Sequence, residues 1–256
     1  MKNKVVLIAG ASKGIGAVTA RSFASEGASV VATARDADAL DALVRDIRDA
    51  GGDALAVPTD VTDADAVRRS VDAAVDHFGR LDFAFNNANA PVMPRLLAEY
   101  SLEDFDRSIR TNVHGTFLGM KYQIPAILAS GGGAIVNMAS MAGVNGVSHL
   151  AAYVTGKAGI VAMTKVAALD YADQGIRINV VAPGPIKTHY MAGADPKMEA
   201  DAAKSTPMGR VGASDEVADA VKWLCSDQSS YITGMVVPID GGQSAGIKLR
   251  HFGSRD

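Results

Sequence analysis

Short runs of β-branched and apolar residues recur along the chain with amphipathic stretches between them, and this alternation limits the possible folds more than any other feature. The runs are Val5–Ala9, Ser29–Thr33, Ala54–Val57, Asp82–Phe85, Ala134–Met138, Arg177–Val181 and Met235–Ile239. Of the stretches between them, Asp63–Phe78 is the clearest helix, with Val67, Val71, Ala74, Val75 and Phe78 at helical spacing. Strand–helix–strand alternation predicts an α/β fold, a parallel sheet with helices on both faces. Right-handed crossovers make that sheet doubly wound. No repeat, linker or low-complexity segment divides residues 1–256, so a single domain is expected. Two regions break the rhythm: 187–212, expected to be a substrate lid, and the tail 243–256.

Composition narrows the partners. An apolar share of 48% is ample for a core, and with only 5% aromatics that core falls to Ala, Val, Ile and Leu. A net charge of -3 gives no electrostatic case for a nucleic-acid partner. The one cysteine, Cys225, has no intramolecular disulfide partner and sits in an apolar helical run as core filler. The five histidines, His77, His114, His149, His189 and His251, are scattered without metal-ligand spacing, so no metal is expected. Lys2 and Lys4 precede Val5–Ala9, but that run is too short for a signal peptide and leads into a glycine turn. No stretch is long enough to span a bilayer, and a cytoplasmic protein is expected.

The first strand ends in Ala9-Gly10-Ala11-Ser12-Lys13-Gly14-Ile15-Gly16, directly before a helix pattern. The glycine spacing differs from the G-x-G-x-x-G of other Rossmann-type sheets, yet it meets the same need. Glycine permits a tight turn and close approach to pyrophosphate, and the helix N-terminus offers N–H groups and a positive dipole end. An ordinary strand–helix turn is the alternative, and the place directly after the first strand favours the cofactor reading.

This segment resembles the cofactor loop of the classical short-chain dehydrogenases/reductases, with Ala9 where Thr is usual. The resemblance implies a doubly wound Rossmann-type domain that binds a nicotinamide dinucleotide. In the family an NAD-binding acid aligns with Ala34; here Arg35 follows and Lys13 adds a second cation, which suits the 2′-phosphate of NADP(H) over NAD(H). Against this, Asp36 is close enough to turn back toward a ribose. Asp60-Val61 is similar to the family's adenine contact, although Asp60 equally suits an N-cap. Asn87-Ala88 belongs to a segment similar to Asn-Asn-Ala-Gly, with Asn89 in place of Gly; Asn is the next best residue for left-handed backbone geometry. Pro183-Gly184-Pro185-Ile186-Lys187-Thr188 resembles the family's Pro-Gly turn, which implies nicotinamide-side contacts from Pro183, Gly184, Ile186 and Thr188.

Tyr153 and Lys157 stand four apart in a helix pattern and so share a face. A cation beside a phenol favours phenolate, which makes the pair a sensible proton donor and acceptor. Ser140 falls at the end of the fifth strand, and Asn112 lies in a helix pattern. Together they match the order and spacing of the family's Asn–Ser–Tyr–Lys tetrad. The resemblance implies that Tyr153 is the acid in reduction and the base in oxidation. Lys157 lowers its pKa and binds the nicotinamide ribose, Ser140 bonds the substrate oxygen, and Asn112 holds a water linking Lys157 to solvent. Thr155-Gly156 replaces the usual Ala-Ser.

The resulting expectation is an NADP(H)-dependent oxidoreductase that interconverts a carbonyl compound and a secondary alcohol. A 3-oxoacyl-thioester reductase, a sugar dehydrogenase and a non-catalytic NADP(H)-binding protein are the alternatives. Pro91, Val92, Met93, Met141, Val144, His149, Tyr190 and Met191 are expected to line a largely apolar substrate pocket. Ile247, Leu249 and Phe252 in the tail, with the family's habit, point to a homotetramer.

Overall fold

The computed structural model of the protein describes residues 1–90, 92–188 and 196–246. Seven parallel strands form its sheet: β1 (Val5–Ala9), β2 (Ser29–Ala34), β3 (Asp53–Pro58), β4 (Phe83–Asn86), β5 (Gly133–Met138), β6 (Ile176–Pro183) and, last in the chain, β9 (Val236–Ile239). All seven expected runs became strands, with ends displaced by no more than two residues. The short pair β7 (Ile186–Lys187) and β8 (Gly212–Ala213) carries no alternating pattern and was not foreseen.

The sheet order is β3-β2-β1-β4-β5-β6-β9. It reverses direction between β1 and β4, and such a switch opens a crevice beyond the strands' carboxyl ends. The two faces follow from strand periodicity. Val6 and Ile8 of β1 join a core with Phe23, Leu40 and Leu224, on helices α1 (Gly14–Ser25), α2 (Ala37–Asp49) and, later in the chain, α8 (Ser214–Cys225). Val5 and Leu7 face the other way, toward Val71, Ile127 and Ala167 on α3 (Ala64–Phe78), α5 (Gly115–Ala129) and α6 (Ala151–Tyr171). Cys225 is buried in the first core, where burial pushes its thiol up to about 12.

Local signals set the helix ends. Asp63, not Asp60, caps α3, accepting from the N–H groups of Asp65 and Ala66, and Gly79 closes the helix at φ 76°. Asp36 caps α2, accepting from Ala39 N–H at 3.1 Å. Between α4 (Leu102–Ile109) and α5 the helix widens into one π turn, Arg110–His114. The region expected to be a substrate lid holds regular structure. Helix α7 (Pro196–Lys204) forms there, opening on a proline, which suits a first helical position, and continuing through Ala-rich sequence. Residues 189–195 of the lid, and Ile247, Leu249 and Phe252 of the tail, lie outside the described residues.

At the sheet's amino edge the fully buried Asp82 accepts from Arg80, from Lys4 and from the N–H of Val5. Toward the other edge runs a buried amide relay. Asn86 of β4 pairs reciprocally with Gln123 of α5 and donates to Asn137 of β5, which in turn donates to Thr164 of α6. The relay locks strands and helices together beneath the crevice.

Candidate active site

A cleft of about 1100 Å³ opens at the carboxyl edge of the sheet. The turn after β1 forms one wall. Gly10 takes φ 73°, and a Cβ there would lie 2.9 Å from Cα of Ala88; a Cβ on Gly16 would lie 2.2 Å from the Gly10 carbonyl oxygen. Both glycines are therefore required by space, and Gly10 by conformation too. Lys13 stands at the cap position of α1 with extended backbone. Ser12, Lys13, Gly14 and Ile15 present the helix N-terminus to the cleft, a geometry that suits a phosphate group.

Ala34, Arg35 and Asp36 line the cleft after β2. The Asp36 carboxylate is occupied in capping α2, while the exposed Arg35 adds its charge at the rim. Asp60 accepts from both the N–H and the hydroxyl of Thr62, so it shapes the turn beside the cleft with Val61. Asn87 and Ala88 follow β4. Asn89 lines the cleft as well, but it does not adopt the left-handed backbone its replacement of glycine suggested. Among the described non-glycine residues, only Asn3 and His149 have positive φ.

Ser140, Tyr153 and Lys157 line the same cleft, as do Pro183, Gly184, Ile186 and Thr188. Ser140 caps the short turn Met141–Gly143, its oxygen accepting from the N–H of Ala142 at 3.2 Å. Tyr153 and Lys157 lie on the first turns of α6, and the Lys157 ammonium sits 5.7 Å from the Tyr153 ring centroid. Lys157 is 1% exposed and donates to the Met138 carbonyl oxygen at 3.1 Å. Burial pulls its amine down from 10.5 to about 7. Gly143 lets the turn pack this closely, since a Cβ there would lie 2.7 Å from the Lys157 carbonyl carbon.

Asn112 is placed differently. It sits fully buried in the π turn, behind the cleft wall rather than on it, and its Oδ1 has no hydrogen-bond partner among the described residues. Of the residues expected on the substrate side, Val92, Met93, Met141, Val144 and His149 do not line this cleft. Met141 is turned into the core, Met93 is 70% exposed, and His149 is held by its carbonyl oxygen, which accepts from Arg95 N–H and Tyr100 O–H. Pro91, Tyr190 and Met191 lie outside the described residues. The charged residues Glu103, Asp106 and Arg107 of α4 and Arg110 of the π turn line the cleft and were not foreseen. Their i, i+3, i+4, i+7 spacing marks one helix face, but only the fold reveals that this face borders the crevice.

The arrangement fits a nicotinamide dinucleotide: a backbone cradle that side chains would fill, a helix N-terminus for phosphate, and a buried amine beside a phenol. Comparison with known proteins agrees. The family described as enoyl-(acyl carrier protein) reductase matches residues 10–244. Cyclohexanol dehydrogenase of Acinetobacter sp. (strain SE19) is 43% identical over 95% of this chain and 96% of its own. Levodione reductase superposes with a TM-score of 0.92 at 34% identity, over 96% of this chain and all of the other (100%). NAD+-bound xylitol dehydrogenase gives a TM-score of 0.89 at 36% identity, over 94% of this chain and 99% of the other. Sequence and fold agree along nearly the whole length, and the chain belongs to the short-chain dehydrogenase/reductase family, oxidoreductases that bind a nicotinamide cofactor and act on alcohols and ketones.

Proposed function

We propose that the protein interconverts a secondary alcohol and its ketone with NADP(H), using Tyr153 as acid and base. The observation that carries this reading is the buried Lys157 beside Tyr153 at the carboxyl edge of the sheet. When it is protonated, the amine held there favours phenolate, which suits the phenol to giving and taking a proton. The bound cofactor supplies or accepts the hydride. In reduction, Tyr153 gives its proton to the carbonyl oxygen, where negative charge develops, and the Ser140 hydroxyl donates to the same oxygen. Lys157 steadies the phenolate that remains, and Asn112 provides an acceptor in the path that returns a proton from solvent.

The glycine turn and the N-terminus of α1 hold the pyrophosphate, and Asp60 and Val61 border the adenine. Lys13 and Arg35 favour a 2′-phosphate, while Asp36, engaged in capping α2, offers little competition for a ribose hydroxyl. The region 187–212, which contains α7, closes over the substrate. We read the chain as a single catalytic domain forming a cytoplasmic homotetramer. Exposed apolar side chains on α5 and α6, namely Phe117, Val166 and Leu169, support association. A monomer by light scattering at micromolar concentration would contradict that part.

The likeness to cyclohexanol dehydrogenase favours an alicyclic secondary alcohol as substrate. The test is a cofactor-consumption screen with NADPH and NADH over cyclic ketones, β-ketoesters, sugars and acyl thioesters. Cyclic ketones with NADPH should give the highest kcat/KM. Preference for thioesters or sugars would overturn the substrate class, and no turnover with any of them would favour a binding protein.

A further inference from the structure

Ser108 lies on α4, fully buried and off the cleft surface. Its hydroxyl donates to the carbonyl oxygen of Ala152 at 2.9 Å, in the first turn of α6 and next to Tyr153. With its hydrogen committed there, the Ser108 oxygen is left only as an acceptor. It accepts from Nδ2 of Asn112 at 3.3 Å, and the Ser108 carbonyl oxygen accepts from the same nitrogen at 3.0 Å. Two acceptors thus face one end of the Asn112 amide. Turning the amide over would set its oxygen against both, so its orientation is fixed.

The consequence appears at the other end. Asn112 Oδ1 is buried with no partner among the described residues. A buried acceptor left open is costly, and it calls for a donor that arrives with solvent or ligand. Gly156 packs against the arrangement. A Cβ at that position would lie 3.1 Å from Asn112 Cβ, 3.3 Å from its Nδ2 and 3.4 Å from Ser108 Oγ. The departure from the usual Ala-Ser at 155–156 therefore sits directly against the Ser108–Asn112 contact.

We propose that Ser108 is a positioning residue for the reaction: it orients the Asn112 amide with Oδ1 as an open acceptor, and it ties that amide to the turn of α6 that carries Tyr153. The proposal rests on the reading of Asn112, Tyr153 and Lys157 as the proton-transfer group. Ser108 touches neither substrate nor cofactor. Its effect should therefore fall on the chemical step, not on binding.

Ser108→Thr and Ser108→Val have nearly the same shape and differ in the hydroxyl. Single-turnover hydride transfer, ketone KM, NADPH Kd and Tm should be measured for both, beside Tyr153→Phe. Ser108→Val should slow hydride transfer about three- to tenfold, as loss of one hydrogen bond implies, while NADPH Kd and ketone KM stay within about twofold. Ser108→Thr should stay within about twofold in every quantity. Equal rates for the two, with Tyr153→Phe inactive, would overturn the role of Ser108 and leave that of Tyr153 intact. Parallel losses of rate and NADPH affinity would indicate a packing defect and overturn it as well. Near-normal turnover of Tyr153→Phe would remove the reading on which the proposal rests. Should the branched side chains prevent folding, Ser108→Ala makes the same test without added bulk: a slower chemical step with unchanged NADPH Kd is expected, and an unchanged rate overturns it.

Discussion

The side-chain amide of Asn87 donates to the carbonyl oxygen of Gly10 at 3.0 Å, tying the end of β4 to the turn after β1. The same nitrogen would meet a Cβ on Gly16 at 2.8 Å. The cofactor cradle is thus a three-way fit of two glycines and one amide. Asn87→Ala should loosen it, weakening NADPH and NADH to the same extent, by about 1 kcal/mol for one lost hydrogen bond. Fluorescence titration with both nucleotides checks this. An effect on one nucleotide alone would mean that Asn87 reads the 2′ position instead.

Arg35 should behave in the opposite way. It lines the cleft, with Asp36 engaged in capping. Arg35→Ala should weaken NADPH selectively, by about 1–3 kcal/mol if one charge-assisted hydrogen bond to phosphate is lost. The measurement is kcat/KM for NADPH and NADH with one ketone. Equal losses for both would remove the 2′-phosphate assignment.

Lys157 should cost the unliganded protein stability. Its amine titrates near 10.5 in the unfolded chain and at about 7 when folded, because burial disfavours the charged form. Between those values the unfolded chain binds more protons, so this group makes stability rise with pH across that window. Below pH 7 the full penalty is present. Lys157→Met should therefore be more stable than wild type at pH 6, on the order of 1–3 kcal/mol, with the gap closing toward pH 10. It should also lose cofactor affinity and need a higher pH for oxidation. Urea unfolding at pH 6, 8 and 10 tests the stability claim, and a variant less stable at pH 6 would contradict it.

Asp82 carries stability of the other sign. Burial alone would raise its carboxyl, but hydrogen bonds from Arg80, Lys4 and the Val5 N–H outweigh it and hold the group below the ordinary carboxylate value of 3.8. This stabilisation is present above that value and fades as pH falls through the lower, folded one. Arg80 and Lys4 are 39% and 42% exposed, so solvent screens both ion pairs. Asp82→Asn should cost about 1.5–3 kcal/mol at neutral pH, with turnover per folded molecule unchanged because the residue is at the sheet's far edge. A full effect persisting at pH 2 would show that the charge is not responsible.

The sheet was legible because alternating and β-branched runs encode strands locally, from Val5–Ala9 to Val236–Ile239. The glycine turn was legible because Gly10 and Gly16 stand where a Cβ would collide with neighbouring backbone. Other features depend on distant packing. Whether Asp60 or Asp63 caps α3 turns on where the helix begins, and both are acids. Asn112 reads as an ordinary helical residue; its burial comes from the π turn and from α6, contributed by residues forty positions away. The substrate side was the least legible part. Met141 and Val144 follow β5 closely enough to suggest a pocket, yet the turn that Ser140 caps directs Met141 inward. The face formed by Arg107 of α4 and Arg110 of the π turn looks like any solvated helix surface until the fold sets it beside the crevice.

Delivery of the proton is the role proposed for Tyr153. Tyr153→Phe removes one hydroxyl and keeps the ring, so the fold and the glycine cradle should be unchanged. The direct measurement pairs NADPH fluorescence titration with single-turnover oxidation of bound NADPH by a cyclic ketone. NADPH binding should stay near normal while the chemical step slows by about a hundred- to ten-thousandfold, the usual range for general acid help. Near-normal turnover with normal binding would contradict that role and show that another group supplies the proton.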